Sequence, residues 1–180
     1  MTSWSPTALA RECRATTVPY GQPVTLDAGG LVEVVQRLGA SITVRTQMGS
    51  LLRIDGQDAD ALGFDPVDVT ERAAEGPFEL ERVLDALQQI YDPEIPVSIV
   101  ELGLVYRCDE VLDDEGSRRI EIDMTMTAPG CGMGEILRAD ALRAVRAIPG
   151  VDDVEITIVF DPPWNVGRMS EAARLQLGLL

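Results

Sequence analysis

The chain has 180 residues, 30 acidic residues and 15 basic residues, and its net charge is −15. Every basic residue is an arginine and histidine is absent, which excludes Ser-His and Cys-His catalytic pairs, Schiff-base lysines and phosphate-loop lysines. The negative charge also argues against nucleic acid as a partner, because binding to phosphates requires clustered basic side chains.

The sequence predicts neither a membrane-spanning segment nor an export signal. No apolar run approaches the roughly 20 residues of a membrane span, and the N-terminus lacks the basic and apolar regions of a signal peptide. We therefore predict a cytoplasmic protein that does not contact a membrane. Its cysteines, Cys13, Cys108 and Cys131, form no C-x-x-C pair and indicate neither a disulfide framework nor a self-contained zinc site.

Short β-prone segments make up residues 13–54, with glycines separating them every eight to ten residues. This spacing predicts a small all-β unit with strands at residues 15–18, 24–26, 31–38, 41–45 and 51–54. Ile42 and Val44 alternate with Thr43 and Arg45, so the fourth strand should have one apolar face and one solvated face.

A helical turn and a linker follow the β unit. The sequence D-A-D-A-L-G predicts one helical turn, capped by Asp58 and ended by Gly63. Residues 64–78 contain Pro66, Gly76 and Pro77 with little periodicity, which is typical of a linker. We therefore predict a small β-rich domain over residues 1–76 and a second domain over residues 77–180.

The second domain begins with a helix and two strands. Apolar residues recur at helical spacing between Leu80 and Ile90, which predicts an amphipathic helix. A long strand over residues 101–112 and a hairpin tip at residues 113–116 follow. In the return strand, residues 120, 122, 124 and 126 should face the core, while residues 121, 123, 125 and 127 face solvent.

The remaining elements complete the predicted fold. A helix begins near Met133, a third strand covers residues 154–160, and Ser170 caps a short final helix. The order helix, strand, strand, helix, strand, helix predicts a two-layer α/β sandwich with a mixed three-stranded sheet. The whole chain is thus predicted to be α+β, with the small β unit first.

Cys131 is the leading candidate for chemistry. It lies in the loop M-T-A-P-G-C-G-M-G between a strand and a helix, where free backbone N–H groups and the helix dipole favour a thiolate. Gly130 and Gly132 leave the sulfur unscreened and allow backbone N–H groups to converge on it. A thiolate in this position is either reactive or a ligand for a soft metal.

An acidic turn is the second candidate. Asp92 and Glu94 flank Pro93 after the predicted helix, at an end where the helix dipole disfavours negative charge. The two acids could form a turn and nothing more. Alternatively, they supply oxygen ligands or hydrogen-bond acceptors near the thiolate, an arrangement that would suit an iron site.

Three motifs in the second half resemble the domain shared by SufT, PaaD and the cytosolic iron–sulfur targeting factors. They are D-P-E-I-P-V-S-I-V-E-L-G-L-V-Y at residues 92–106, T-M-T-A-P-G-C-G-M-G at residues 125–134, and D-P-P-W-N with the segment that follows. The form T-A-P-G-C-G-M-G, together with V-P-Y-G and V-V-Q-R-L-G-A-S-I-T-V in the first half, is similar to the SufT group specifically.

This resemblance implies a non-enzymatic factor that helps iron–sulfur clusters reach their target proteins. Cys131 corresponds to the family cysteine and is the predicted thiolate ligand, while Asp92, Glu94, Thr127, Gly130 and Gly132 support the site. The implied partners are the iron–sulfur assembly machinery and apo client proteins. One loop supplies one ligand, whereas a cluster generally needs about four, so a labile cluster would be shared with a second subunit, as in a homodimer, or with a partner.

Two other hypotheses remain open at the level of sequence. The chain could be a metal-free acidic adaptor that recruits client proteins rich in Arg and Lys to the assembly machinery. It could also be a cysteine-dependent enzyme in which a carboxylate serves as the base, although the absence of histidine makes this the weakest of the three.

Overall fold

The first domain is built from β-strands. A computed structural model describes residues 5–67 and 76–179. The first domain contains β1 (Thr7–Ala8), β2 (Cys13–Val18), β3 (Pro23–Leu26), β4 (Leu31–Leu38), β5 (Ser41–Thr46), β6 (Leu51–Asp55) and a 3-10 helix over Gly56–Leu62. The strands form one antiparallel sheet in the order β1-β4-β5-β6-β2-β3.

The second domain is the predicted two-layer α/β sandwich. It contains α1 (Leu80–Gln88), β7 (Val105–Leu112), β8 (Arg118–Met124), α2 (Gly134–Arg146), β9 (Asp153–Ile158), a 3-10 helix over Val166–Arg168 and α3 (Glu171–Gln176). Strand β8 lies in the middle of the sheet, antiparallel to β7 and parallel to β9. The predicted fold class, with its mixed three-stranded sheet, is confirmed.

Each domain has its own hydrophobic core. The first core joins the sheet to the 3-10 helix through residues such as Ile42, Val44 and Ile54. In the second, α1 and α2 pack on the sheet through residues such as Leu87, Ile122 and Leu137. The division into residues 1–76 and 77–180 remains a prediction, which these two cores support. Residues 68–75 of the predicted linker lie outside the described residues.

Several boundaries differ from the sequence predictions. The sequence predicted a strand from residue 101, but β7 begins at Val105, because residues 99–104 form turns closed by hydrogen bonds from Leu102 to Ser98 and from Gly103 to Val100. The cap of the first 3-10 helix is Asp55 rather than Asp58, since the Asp55 carboxylate accepts the Gln57 N–H. Strand β1 was not predicted, because its two residues are too few to show alternation.

Two residues that were predicted to face solvent are buried instead. Thr43 is 2% exposed, because the second domain covers the polar face of the first sheet. Thr125 is fully buried, because it follows the last residue of β8 and its N–H donates to the carbonyl oxygen of Leu104 in the turns before β7. In both cases a segment distant in sequence supplies the cover.

None of the helices within residues 5–67 and 76–179 combines the length and the apolar character needed to span a bilayer.

Candidate functional site

The cysteine loop joins β8 to α2. Cys131 lies three residues before the first residue of α2, and its carbonyl oxygen accepts the Gly134 N–H at the start of the helix. Thr127 is half-buried in the same loop, and Gly130 is exposed with a φ of +79°, a conformation that favours glycine. Cys131 itself is half-buried and packs against the edge of the second core. The helix start near Met133 is confirmed, since Met133 is the N-cap.

The two acids of the acidic turn have different environments. Asp92 is 6% exposed, and its Oδ1 accepts the N–H groups of Glu94 at 2.8 Å and Ile95 at 2.9 Å. This is an Asx turn, in which the carboxylate replaces a backbone acceptor. Glu94 is exposed. Asp92 therefore holds the turn together, and Glu94 presents its carboxylate to solvent.

The electrostatics of the turn follow from this geometry. Burial raises the pKa of the Asp92 carboxyl, although the hydrogen bonds from Ile95 and Glu94 partly oppose the increase. Partial burial also raises the pKa of Glu94, and the neighbouring charge of Asp92 adds to the effect. The Asp92 charge thus makes the Glu94 carboxyl harder to ionise.

The polar face of the first sheet donates hydrogen bonds to the acidic turn. Thr43 in β5 lies opposite Gln36 in β4 and Arg53 in β6, so the three side chains share one face of the sheet. The Thr43 hydroxyl donates to the carbonyl oxygen of Pro93 at 3.1 Å, and the Gln36 amide donates to that of Asp92, also at 3.1 Å. The first sheet therefore holds the turn through its backbone carbonyl groups, while the Asp92 carboxylate holds the turn from within.

Ion pairs join the same face to α2. Arg53 is 6% exposed and pairs with Asp140, while Arg143 pairs with both Asp140 and Asp55. Burial raises the pKa of Asp140, and the two guanidinium groups oppose that rise. Arg53 and Asp140 are largely removed from water, and their mutual pairing offsets the cost of burying both charges.

The turn after β2 contacts the cysteine loop. The thiol of Cys131 donates a weak hydrogen bond to the carbonyl oxygen of Pro19, with the sulfur and the oxygen 4.0 Å apart. Gly21 and Gly132 approach each other so closely that a Cβ on Gly21 would overlap the Gly132 carbonyl group, and one on Gly132 would overlap the Tyr20 carbonyl group. The first domain therefore borders the predicted cysteine site.

The predicted site residues fall on two segments. Cys131, Thr127, Gly130 and Gly132 share the cysteine loop, whereas Asp92 and Glu94 belong to the turn after α1. No hydrogen bond or ion pair links the two segments in the described part of the chain, and both segments contact the first domain. No three cysteine or acidic side chains among the described residues form a group able to hold a metal ion. The roles assigned to these residues remain predictions.

Sequence reasoning did not identify the contribution of the first domain to this region. Gln36, Thr43 and the Pro19–Gly21 turn reach the two segments only through tertiary contacts. Alternation in β5 indicated that Thr43 lies opposite the apolar face, but it could not show what covers it. Trp164 in the D-P-P-W-N motif is half-buried and donates its indole N–H to the carbonyl oxygen of Leu102 at 2.8 Å.

Comparison with known proteins identifies the second domain. Residues 80–158 match the family described as "Iron-sulfur cluster assembly protein". A protein of Porphyromonas gingivalis named "Fe-S protein maturation auxiliary factor" is 39% identical over 56% of this chain and 91% of its own length. The "Fe-S protein maturation auxiliary factor SufT" of Staphylococcus aureus is 40% identical over 50% of this chain and 98% of its own.

A solved domain of unknown function from Bacillus anthracis is also similar. It is 35% identical and covers 56% of this chain and 92% of its own, with a TM-score of 0.48. The identities to the two maturation auxiliary factors confirm the resemblance inferred from the sequence motifs. The chain belongs to the family of iron–sulfur cluster assembly proteins.

Proposed function

We propose that this protein is a maturation factor for iron–sulfur proteins and that the sulfur of Cys131 is its contact with the cluster in transit. The observation that carries the proposal is the position of Cys131, half-buried in a glycine-flanked loop within the segment that matches the family. The relatives bearing the names of maturation factors support the same role. A non-enzymatic role agrees with the absence of histidine and lysine.

The ligand count limits how a cluster is handled. A cluster generally needs about four protein ligands, and Cys131 supplies one. Since no group of three such side chains occurs among the described residues, the remaining ligands come from a second copy of the chain, from a partner or from a small thiol. Incomplete ligation suits transfer, because a cluster held by few bonds leaves easily. The cluster is thus cargo, and its donors and acceptors are the assembly machinery and the apo client proteins.

Glu94 is the acid best placed to reach the cargo or a partner. It is exposed, whereas Asp92 uses its carboxylate inside the turn. We therefore assign Glu94 the contact role and Asp92 the task of holding the turn. Thr127, Gly130 and Gly132 shape the loop around the sulfur.

Anaerobic reconstitution tests the proposal. The protein is incubated with ferrous iron and sulfide, separated from excess reagents, and examined for visible absorption and for iron and acid-labile sulfide per chain. Wild type should bind both, and Cys131→Ser should lose most of them. Cys108→Ser is the matched control, because Cys108 lies within β7, and it should bind as wild type does. Equal binding by Cys131→Ser and wild type would remove Cys131 from the ligand set.

The charge of −15 favours a second candidate, the metal-free acidic adaptor. The reconstitution experiment separates the two, because an adaptor binds no iron or sulfide in any variant. Pull-down of apo client proteins completes the test. An adaptor should retain its partners with Cys131→Ser and lose them with Glu94→Gln, a change that removes the exposed charge without disturbing the buried Asp92 carboxylate.

A further inference from the structure

The first domain lies outside the family match and yet contacts the predicted cysteine site. The family segment covers residues 80–158, and the relatives align over nearly all of their own length with only about half of this chain. The contacts of the first sheet with the cysteine loop and the acidic turn are therefore additions to the family domain. These contacts lie next to the sulfur of Cys131 and can therefore affect access to it.

Two glycines mark the contact between the Pro19–Gly21 turn and the cysteine loop. Gly21 has a φ of +70°, so glycine is favoured there for its conformation as well as for space. Gly132 has no positive φ, and its Cβ would overlap the carbonyl group of Tyr20. The requirement for a small residue at Gly132 is thus steric, and it comes from the first domain.

The contact lies beside the sulfur itself. Gly132 directly follows Cys131, and the Cys131 thiol reaches the carbonyl oxygen of Pro19 in the same turn. Cys131 is only half-buried, so part of the residue is open to solvent. The turn therefore lies against one side of Cys131 and leaves another side of the residue open.

The interface that holds this turn in place is polar. Gln36 and Thr43 hold the acidic turn, and Arg53 pairs with Asp140 on α2. The two hydrophobic cores remain separate on either side. Polar interfaces between domains with separate cores resemble transient protein interfaces, and relative motion of such domains is common.

We propose that the Pro19–Gly21 turn is a second wall of the Cys131 site that limits the size of the groups able to reach the sulfur. Small molecules reach Cys131 by the open side, while a bulky group requires the turn to move away. The consequence for cluster transfer rests on the proposed function: a partner protein exchanges a cluster at Cys131 only after it displaces this wall. The wall itself can be tested without iron.

Two pairs of glycine variants isolate the contact. Gly21→Ala and Gly132→Ala each place a methyl group into the opposing backbone and force the turn away from the loop. Gly29→Ala and Gly116→Ala are the controls: their φ values are +79° and +82°, and an added Cβ at either position meets nothing within 4 Å. Each control carries a conformational cost in the same domain as its partner variant but leaves the contact intact.

The experiment uses the full-length reduced chain at neutral pH. Each variant reacts with iodoacetamide and, separately, with a maleimide carrying a polyethylene glycol chain. Peptide mass spectrometry gives the rate at Cys131, with Cys13 in the first core as a monitor of unfolding. For each variant, the rate at Cys131 with the bulky maleimide is divided by the rate with iodoacetamide. This ratio is then compared with the ratio measured for the unfolded chain in denaturant.

Wild type should show a ratio well below that of the unfolded chain. Both contact variants should raise the ratio about tenfold, the effect of overpacking worth ~1.4 kcal/mol on the docked state, while both controls leave it within about twofold. An unhindered ratio in wild type, or equal increases in the controls, would overturn the proposal. If Cys13 labelling shows that one contact variant unfolds, the other decides. Failure of iron binding by Cys131 would leave this result unchanged, so the two proposals fail separately.

Discussion

Asp92 offers a direct test of how the acidic turn is held. The substitution Asp92→Ala removes the acceptor of two backbone hydrogen bonds, at 2.8 and 2.9 Å, in a place where the residue is 6% exposed. A hydrogen bond to a charged group contributes about 1.5–3 kcal/mol, and part of this loss is offset because a buried charge is also removed. We expect Asp92→Ala to lower the free energy of unfolding by ~1–3 kcal/mol.

Asp92→Asn is the matched comparison. Asparagine keeps the Oδ1 acceptor and forms the same Asx turn without the charge, so the free energy of unfolding should stay within ~1 kcal/mol of wild type. Urea unfolding, followed by circular dichroism and by the fluorescence of the half-buried Trp164, measures both variants. If Asp92→Asn costs as much as Asp92→Ala, the charge rather than the hydrogen bonds holds the turn. If Asp92→Ala costs nothing, the turn does not depend on this side chain.

The pH dependence of this difference carries its own sign. Because burial raises the pKa of Asp92, the folded chain keeps its proton at pH values where the unfolded chain has lost it. At neutral pH the carboxylate is charged in both states and its desolvation destabilises the fold. Asp92→Asn should therefore gain in stability relative to wild type at neutral pH, and the gain should shrink as the pH falls through the raised pKa toward the ordinary value of 3.8. A gain that grows with acidification would contradict the burial argument.

Three further predictions concern the interface and the thiols. Arg53→Ala leaves the largely buried Asp140 carboxylate on α2 without its closest partner, so the free energy of unfolding, measured by heat or urea, should fall by about 3 kcal/mol. A fall below about 1 kcal/mol would mean that the ion pair does not hold the domains together. Thr125→Val replaces a buried hydroxyl that has no hydrogen-bond partner among the described residues, so stability should stay equal or rise by ~1 kcal/mol. A clear loss in the same assay would show that the hydroxyl does form a hydrogen bond. Burial raises the pKa of Cys108 to about 11, so its alkylation rate, measured by peptide mass spectrometry, should keep increasing up to that pH; a plateau below pH 9 would contradict this.

Most of the second domain could be predicted because its elements have strong local patterns. The alternation of apolar and polar residues in β8 and the helical spacing in α1 are each visible within about ten residues of sequence. Ser170 caps α3 as predicted, since its hydroxyl accepts the Ala173 N–H. The predicted strand was wrong at residues 101–104. The apolar residues there are buried because the chain forms turns, not because they pair with a neighbouring strand.

The candidate site shows a similar division. The loop around Cys131 and the turn at Asp92 stand out in the sequence, since glycines and prolines flank the candidate side chains. The sequence could not distinguish Asp92 from Glu94, because both are carboxylates one residue from Pro93. Only the folded turn shows that one carboxylate caps backbone N–H groups inside while the other faces solvent.

The sequence by itself determined which chemistry is available: one thiol in a glycine-rich loop, two acids beside a proline, and neither imidazole nor amine. It also determined the order of the elements, because local patterns specify helices and strands. Only the tertiary structure decided that the polar face of the first sheet is buried and that the Pro19–Gly21 turn lies beside the sulfur of Cys131. The reason is physical: the contacts of Thr43 with Pro93 and of Cys131 with Pro19 join residues 50 and 112 positions apart, and they depend on how the two cores pack rather than on the residues that precede and follow each position.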